Sequence, residues 1–393
     1  MKKRTFLKLM SATTVTVLVA GGVYQAHGKG VFSTGKGPAY EPWHTWRTDE
    51  PEGSLALVRA AILAANPHNT QPWLFQVTES QIELYADISR HLGTMDPYFR
   101  EMYIGLGCAI ENMILAASAN GYQYQLTLGS GTLTDLPPNA KLKRVATLKL
   151  SSGPVVIPPL YDAIPNRHTN RAVYDSNRSV ESEVLETFQA LFQSESDLKL
   201  FLFTSEAARH RFAAGTVRAT EQIVADADMI HDSGRWFRPT WQELQKHRSG
   251  VHIDASGMTA MNRALAKVSP PISEETAHQA WIDATKITLA STPVLGLISV
   301  RDLYDQSQSL KAGQLWQRMH LWATTQGLAA QPINQLPEMV DRELQLGEEP
   351  RTAQFLAQLS GDPLWKPTFA FRLGYPTLEG LVSARRPVED VVV

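Results

Sequence analysis

The sequence has one cysteine, Cys108, in 393 residues. That excludes an intramolecular disulfide and any cysteine-built metal cage. It also lacks a surplus of either charge: Lys plus Arg is 37 and Asp plus Glu is 39. There is accordingly no electrostatic case for a nucleic-acid partner. No Gly-x-Ser-x-Gly elbow, no His-Glu-x-x-His and no phosphate-loop motif occurs, and the histidines have no metal spacing. Cys108 sits in an apolar helical run, which suits a buried structural thiol better than a nucleophile. With 43% hydrophobic residues the chain has ample material for a core.

The N-terminus differs from the rest. Lys2-Lys3-Arg4-Thr5-Phe6-Leu7-Lys8 precedes a mildly apolar stretch from Leu9 to Val23, rich in Thr, Ala and Gly and poorly suited to span a membrane. Lys-Arg-x-Phe-Leu-Lys resembles the twin-arginine export signal with Lys3 in the first position. Residues 1–27 are therefore expected to direct export to a periplasm or cell envelope, cleaved or kept as an anchor. A cytoplasmic protein with a basic tail is the alternative.

Residues 28–53 show no periodicity and read as a linker or arm. Ser54 is expected to cap a helix carrying Leu55, Val58, Ile62 and Leu63 on one face, which Pro67 stops. Strands are expected at Trp73–Val77 and Gln81–Ala86, then a helix between Gly107 and Gly121, then strands at Tyr124–Leu128 and Val145–Leu150. From about residue 158 a second half follows. It offers helices at Val180–Phe192, Ala207–Asp228 and Leu310–Gln326, and strands at Leu198–Phe203, Pro293–Val300 and Thr368–Leu373. The runs Gly107–Gly121 and Gly313–Gly327 share one length and one ending, a degenerate internal repeat. The expected fold is α+β: two similar halves, 54–157 and 158–393, fused as an intramolecular pseudo-dimer. Residues 232–272 fit neither half and read as a lid-like insertion or a surface excursion.

Two segments carry the chemistry. In Asn66-Pro67-His68-Asn69-Thr70-Gln71-Pro72-Trp73, Pro67 stops a helix and leaves amides and the Asn69 amide side chain free to meet a ligand. Trp73 is expected in the core, and His68 as a positioned polar neighbour. Arg167-His168-Thr169-Asn170-Arg171 puts two guanidiniums and a hydroxyl in five residues. In a helix entry or tight turn both could meet one anion.

The first segment resembles the Ser-x-x-Asn-x-Gln-Pro-Trp loop of the nitroreductase superfamily. The second resembles that superfamily's Arg-x-Ser-x-Lys/Arg-x-Phe-Asp motif. The loop here precedes the arginine motif, which resembles the fused Acg-type branch of FMN-binding oxidoreductases, from about Trp43 to Val393. The resemblance implies a nitroreductase-like fold, FMN as cofactor and NAD(P)H as possible co-substrate. It implies Arg167, Thr169 and neighbouring His168 at the phosphate and ribityl chain, and Arg171 over the ring's N1 and O2. Asn69, the backbone of Pro67 and His68, and Gln71 in the same loop would meet the ring from the opposite half. The amides of Pro332-Ile333-Asn334 would face N5. Arg385 would hold the phosphate, with Arg386 as the substitute, and Phe371–Pro376 would form the last core strand and turn. Trp46-Arg47-Thr48-Asp49 is the one relic of an arginine motif in the first half, so one flavin per chain is expected. The implied function is hydride transfer from a reduced nicotinamide to a nitroaromatic, quinone or similar small-molecule oxidant. The alternative is an FMN-sequestering protein with an occluded site. The chain would be a monomer with internal pseudo-symmetry or a weak homodimer.

Overall fold

The computed structural model describes residues 29–47, 53–136 and 140–393. The export-like segment, Thr48 and Asp49 lie outside the described residues.

Two four-stranded antiparallel sheets organise the chain. The first holds β1 (Trp73–Val77), β2 (Gln81–Asp87), β3 (Tyr122–Leu128) and β4 (Leu142–Ser152) in the order β1-β2-β4-β3. The second holds β5 (Leu198–Phe203), β6 (Val294–Val300), β7 (Ala329–Pro332) and β8 (Lys366–Gly374) in the order β5-β6-β8-β7. The order is the same in both. In β2 side chains alternate between buried and half-buried, as one covered sheet face requires, whereas every residue of β6 is buried.

Between the sheets lie two twenty-residue helices, Arg100–Ala119 and Gln306–Thr325. They cross where neither has a side chain. A Cβ on Gly107 would meet the Leu310 carbonyl oxygen at 2.0 Å, and one on Gly313 would meet that of Ile104 at 2.0 Å. The paired polar side chains run one way, from the second helix to the first. Glu111 accepts two bonds from Arg318, at 2.7 and 2.9 Å, while Gln317 donates to Asn112 at 2.9 Å. Each helix ends at a glycine of positive φ, Gly121 and Gly327, where a side chain would be strained. Cys108 is buried at this crossing, its thiol 3.3 Å from the Gly313 carbonyl oxygen. The α+β class and the paired helices read from the sequence are both present.

Boundaries moved where the sequence signal was local. The helix expected from Gly107 starts at Arg100, because Asp96 accepts from the amides of Glu101 and Met102. Ser54 makes no cap bond; its hydroxyl donates to the Thr78 carbonyl instead, and Leu55 is exposed. The C-terminal segment leaves the second sheet and returns to the first. The Phe75 amide donates to Val391 O at 2.8 Å and the Val393 amide to Phe75 O at 2.9 Å. This return brings Arg385 to the first-half helix Leu55–Ala61.

Candidate functional site

The loop after Leu55–Ala61 is the most strained stretch of backbone described. His68, Asn69 and Gln71 all have positive φ, at 44°, 54° and 53°. Non-glycine residues adopt that region at a cost of about 1–3 kcal/mol each and are held there by their surroundings. The surroundings are specific. Asn66 Oδ1 accepts from the Gln71 amide at 2.8 Å, and Asn69 Oδ1 accepts from Arg385 at 2.7 Å. Asn69 Nδ2 donates to the carbonyls of Ala384 and Gly250. Trp73 is fully buried, as expected of an anchor.

Arg167 and Arg385 meet behind this loop. Arg167 donates to Leu63 O at 3.1 Å, and Arg385 to Leu63 O at 3.4 Å and Ala64 O at 3.1 Å. These carbonyls lie in the turn just past the helix Leu55–Ala61. Both guanidiniums are buried and neither is paired with a carboxylate among the described residues. The Nε atom of each has no hydrogen-bond partner. Burial brings the pKa of Arg167 down to about 10, and burial plus Arg167 takes Arg385 well below its ordinary value. Trp43 lies under the Arg385 guanidinium, 4.7 Å from its carbon to the ring centre, and packs edge-on against His168 at 4.8 Å.

The local field is positive. Burial first, and then Arg167 and Arg385, push His168 down to about 3. Burial and then Arg171 push His68 down to about 4, and burial with Arg167 takes His320 well below its usual range. His320 Nδ1 faces Arg167 at 3.5 Å. Three histidines are thus held neutral beside uncompensated cations. That arrangement favours an anion.

The helix entry in which Arg167 and Arg171 could meet one anion is not formed: Arg167 closes a short 3-10 turn, Tyr161–Asn166, and the chain beyond it is not helical. Arg171 donates to Ala255 O at 3.1 Å. Thr169 is half-buried. The structure brings Arg167, His168, Asn69 and Arg385 together, and places Arg171 near His68 on the insertion side.

Two further expectations need correction. Pro332 has no amide N–H, and the Ile333 amide donates to Ala370 O at 2.8 Å. Asn334 Oδ1 accepts from the Ala370 amide, so this stretch is pinned to β8 and Ile333 cannot offer its N–H to a ligand. Arg386 does not substitute for Arg385. Its amide donates to Gln71 Oε1 and its guanidinium to Gln71 O and Asp390 O, on the outer side of the loop. Arg47 pairs with Asp162 at 2.6 Å on the surface and joins no site.

The insertion covers the other side of the loop. Gln71 Nε2 donates to Arg248 O at 2.7 Å, the Gly250 amide donates to Asn69 O at 2.9 Å, and His68 Nε2 lies 3.0 Å from Ser233 Oγ. Between Asn69, Arg171, Gly250, His252 and Ala384 a cavity of about 20 Å³ remains, room for about one water. Sequence reasoning missed Trp43, His320 and Gly250 as parts of this region. Gly250 is glycine by necessity in the fold: it has φ +90°, and a Cβ there would meet Trp236 O at 2.3 Å.

No family model matches the chain. Two curated relatives come from Mycobacterium tuberculosis, strains CDC 1551 / Oshkosh and ATCC 25618 / H37Rv, both under the provisional name NAD(P)H nitroreductase. Each is 23% identical over 302 residues, 77% of this chain and 80% of its own length. Among solved structures, a nitroreductase with bound FMN from Bacteroides fragilis is 16% identical, covering 59% of this chain and 95% of its own, at a TM-score of 0.33. The FMN-dependent nitroreductase NfnB from Mycobacterium smegmatis, in complex with NADPH, is 16% identical over 58% of this chain and 94% of its own, at 0.37. These two superpositions are loose. The curated relatives extend over three quarters of the chain, and they bear out its resemblance to the nitroreductase superfamily.

Proposed function

We propose that the chain binds FMN and acts as an FMN-dependent oxidoreductase of nitroreductase type. One observation carries this reading: two buried arginines meet on one backbone carbonyl, lack a carboxylate, and each keep an unbonded Nε. A phosphate dianion supplies what that arrangement lacks, namely charge and acceptor oxygens at fixed donors. The names of the curated relatives agree with it.

The residues divide by task. Arg167 and Arg385 hold the phosphate. Trp43 and His168 wall that end and keep water from the cations. Asn69 and the backbone of Pro67 and His68 address the ring from the first half, and Arg171 supplies the cation for its N1–O2 edge. The two halves then work as an intramolecular pseudo-dimer around one flavin. When bound, the flavin supplies hydride transfer, so no side chain need act as acid or base. The donor is a reduced nicotinamide and the acceptor a nitro compound, quinone or similar oxidant. A visible spectrum of the purified protein tests the cofactor. Flavin absorbance that survives dialysis supports the reading, and colourless protein that gains none from added FMN refutes it.

A second reading, FMN held with little turnover, is favoured by the insertion. Asn69, Gln71 and Arg171 each donate to one of its backbone carbonyls, those of Gly250, Arg248 and Ala255 in turn. Stopped-flow mixing with NAD(P)H separates the two. Rapid bleaching of bound flavin favours the enzyme; bleaching by dithionite alone favours storage.

We also read Lys3-Arg4-Thr5-Phe6-Leu7-Lys8 as an export signal. Fractionation of the full chain in a bacterial host tests it; retention in the cytoplasm refutes it.

A further inference from the structure

On the outer face of the strained loop lies an open groove of about 550 Å³. Its walls are Arg90, Gln245, Lys246, His247, Arg248, Arg386 and Asp390. It thus holds four permanent cations against one carboxylate, Asp390, which pairs with Arg248 at 3.6 Å. The groove comes together from three distant segments: the turn after β2, the end of the helix Trp241–His247, and the C-terminal return. Its size suits a small organic ligand.

The two innermost cations are fixed from behind by backbone, not by carboxylates. Arg90 Nε donates to Thr70 O at 2.6 Å, and its guanidinium lies over Trp236 at 5.5 Å. Arg386 donates to Gln71 O at 3.3 Å and to Asp390 O. Carbonyls orient a guanidinium without cancelling its charge. Neither arginine forms a salt bridge among the described residues, although Asp87 raises both at longer range and Asp390 also raises Arg386. Glu243 is the other acid felt at this rim, by Arg238 and His247. Cations held in place and left unneutralised favour an anion, because the cost of ordering them is already met by the fold.

We propose that this groove binds a phosphate-bearing small ligand, with Arg90 and Arg386 as the fixed donors and Lys246 and Arg248 as the mobile ones. The phosphate has two possible sources, a dinucleotide such as a phosphorylated nicotinamide donor, or free inorganic polyphosphate. The chemistry recognised is the same. The proposal uses neither Arg167 nor Arg385, so it stands apart from the flavin reading.

Titration calorimetry on the purified full chain at low salt tests it. The probes are inorganic pyrophosphate and adenosine 2′,5′-bisphosphate. The variants are the double substitution K246E/R248E, on the groove's rim, and Arg90→Gln. The expected result is saturable binding that weakens with salt and falls by roughly tenfold or more in either variant, as loss of a charge-assisted bond predicts. Tighter binding of the bisphosphate assigns the groove to a dinucleotide, and tighter binding of pyrophosphate assigns it to free phosphate. No saturable binding of either probe overturns the proposal, and so does binding that both variants leave unchanged. The flavin spectrum, recorded on the same samples, reports separately on the inner site.

Discussion

Replacing Arg385 by alanine separates a phosphate site from a merely structural arginine. Arg385 donates to Asn69 Oδ1, Leu63 O and Ala64 O and shares the Leu63 carbonyl with Arg167. If a phosphate sits against this pair, losing one charge-assisted partner costs about 1.5–3 kcal/mol of binding, or roughly ten- to a hundredfold in Kd. The assay is a pair of titrations of the flavin-stripped protein, one with FMN and one with riboflavin, which has the ring and lacks the phosphate. The FMN-over-riboflavin preference should collapse by that factor in Arg385→Ala while riboflavin affinity holds. Arg167→Ala should act in the same direction. The double variant should lose less than the sum, because the two side chains share a carbonyl and feel each other's charge. Equal loss for both flavins would mean that the arginine only shapes the loop. An unchanged preference in both single variants would refute the phosphate assignment.

The buried carboxyls around Arg100 make a pH prediction. Burial first, then neighbouring acids, hold Glu101 well above its ordinary range; burial chiefly moves Glu338 up to about 7 and Asp96 up to about 6. The folded state therefore binds more protons than the unfolded one between about pH 4.5 and 7. Stability should fall as pH rises through that window, by about 3 kcal/mol for Glu338. Urea midpoints measured across the window should show a shallower slope in Glu338→Gln, with the share of Glu101 and Asp96 remaining; an unaltered slope would count against a neutral Glu338. At the helix crossing, Gly107→Ala must push apart two backbones that already touch, since its Cβ would lie 2.0 Å from Leu310 O. A loss of about 3 kcal/mol or failure to accumulate is expected, whereas Gly234→Ala, with open space around its Cβ, should cost far less. Equal midpoints for these two variants would refute the close crossing.

The sequence made the strands and long helices legible because their signals are local. Trp73–Val77 and Leu198–Phe203 fall at their expected limits. Gly107 and Gly313 were read as the limits of a repeat; the structure puts both at the helix crossing, where only residues without a side chain permit that approach. β7 went unread: it has four residues, ends in Pro332, and pairs only with β8. The turn that opens Arg100–Ala119 was hidden by charged residues, Arg100 and Glu101, that are nevertheless buried. At the site, the loop and the arginine motif stood out in the sequence. The residues alone set Arg167 beside Arg171, four positions away, and only the family resemblance put Arg385 at the same phosphate as Arg167, which it meets in the structure. That pairing depends on the C-terminal return, a contact between residues about three hundred positions apart that no local pattern encodes.

That return has a consequence for the order of events in biosynthesis. Of the segments that build the inner cationic pair, the one carrying Arg385 leaves the ribosome last, long after Leu63 and Arg167. Domains commonly begin to fold during synthesis, and here the strands of the first sheet, complete at Ser152, are made long before Arg385, whereas β8 of the second sheet ends at Gly374, close to it. A product cut short before Arg385 keeps the strands of the first sheet and lacks half of the buried cationic pair.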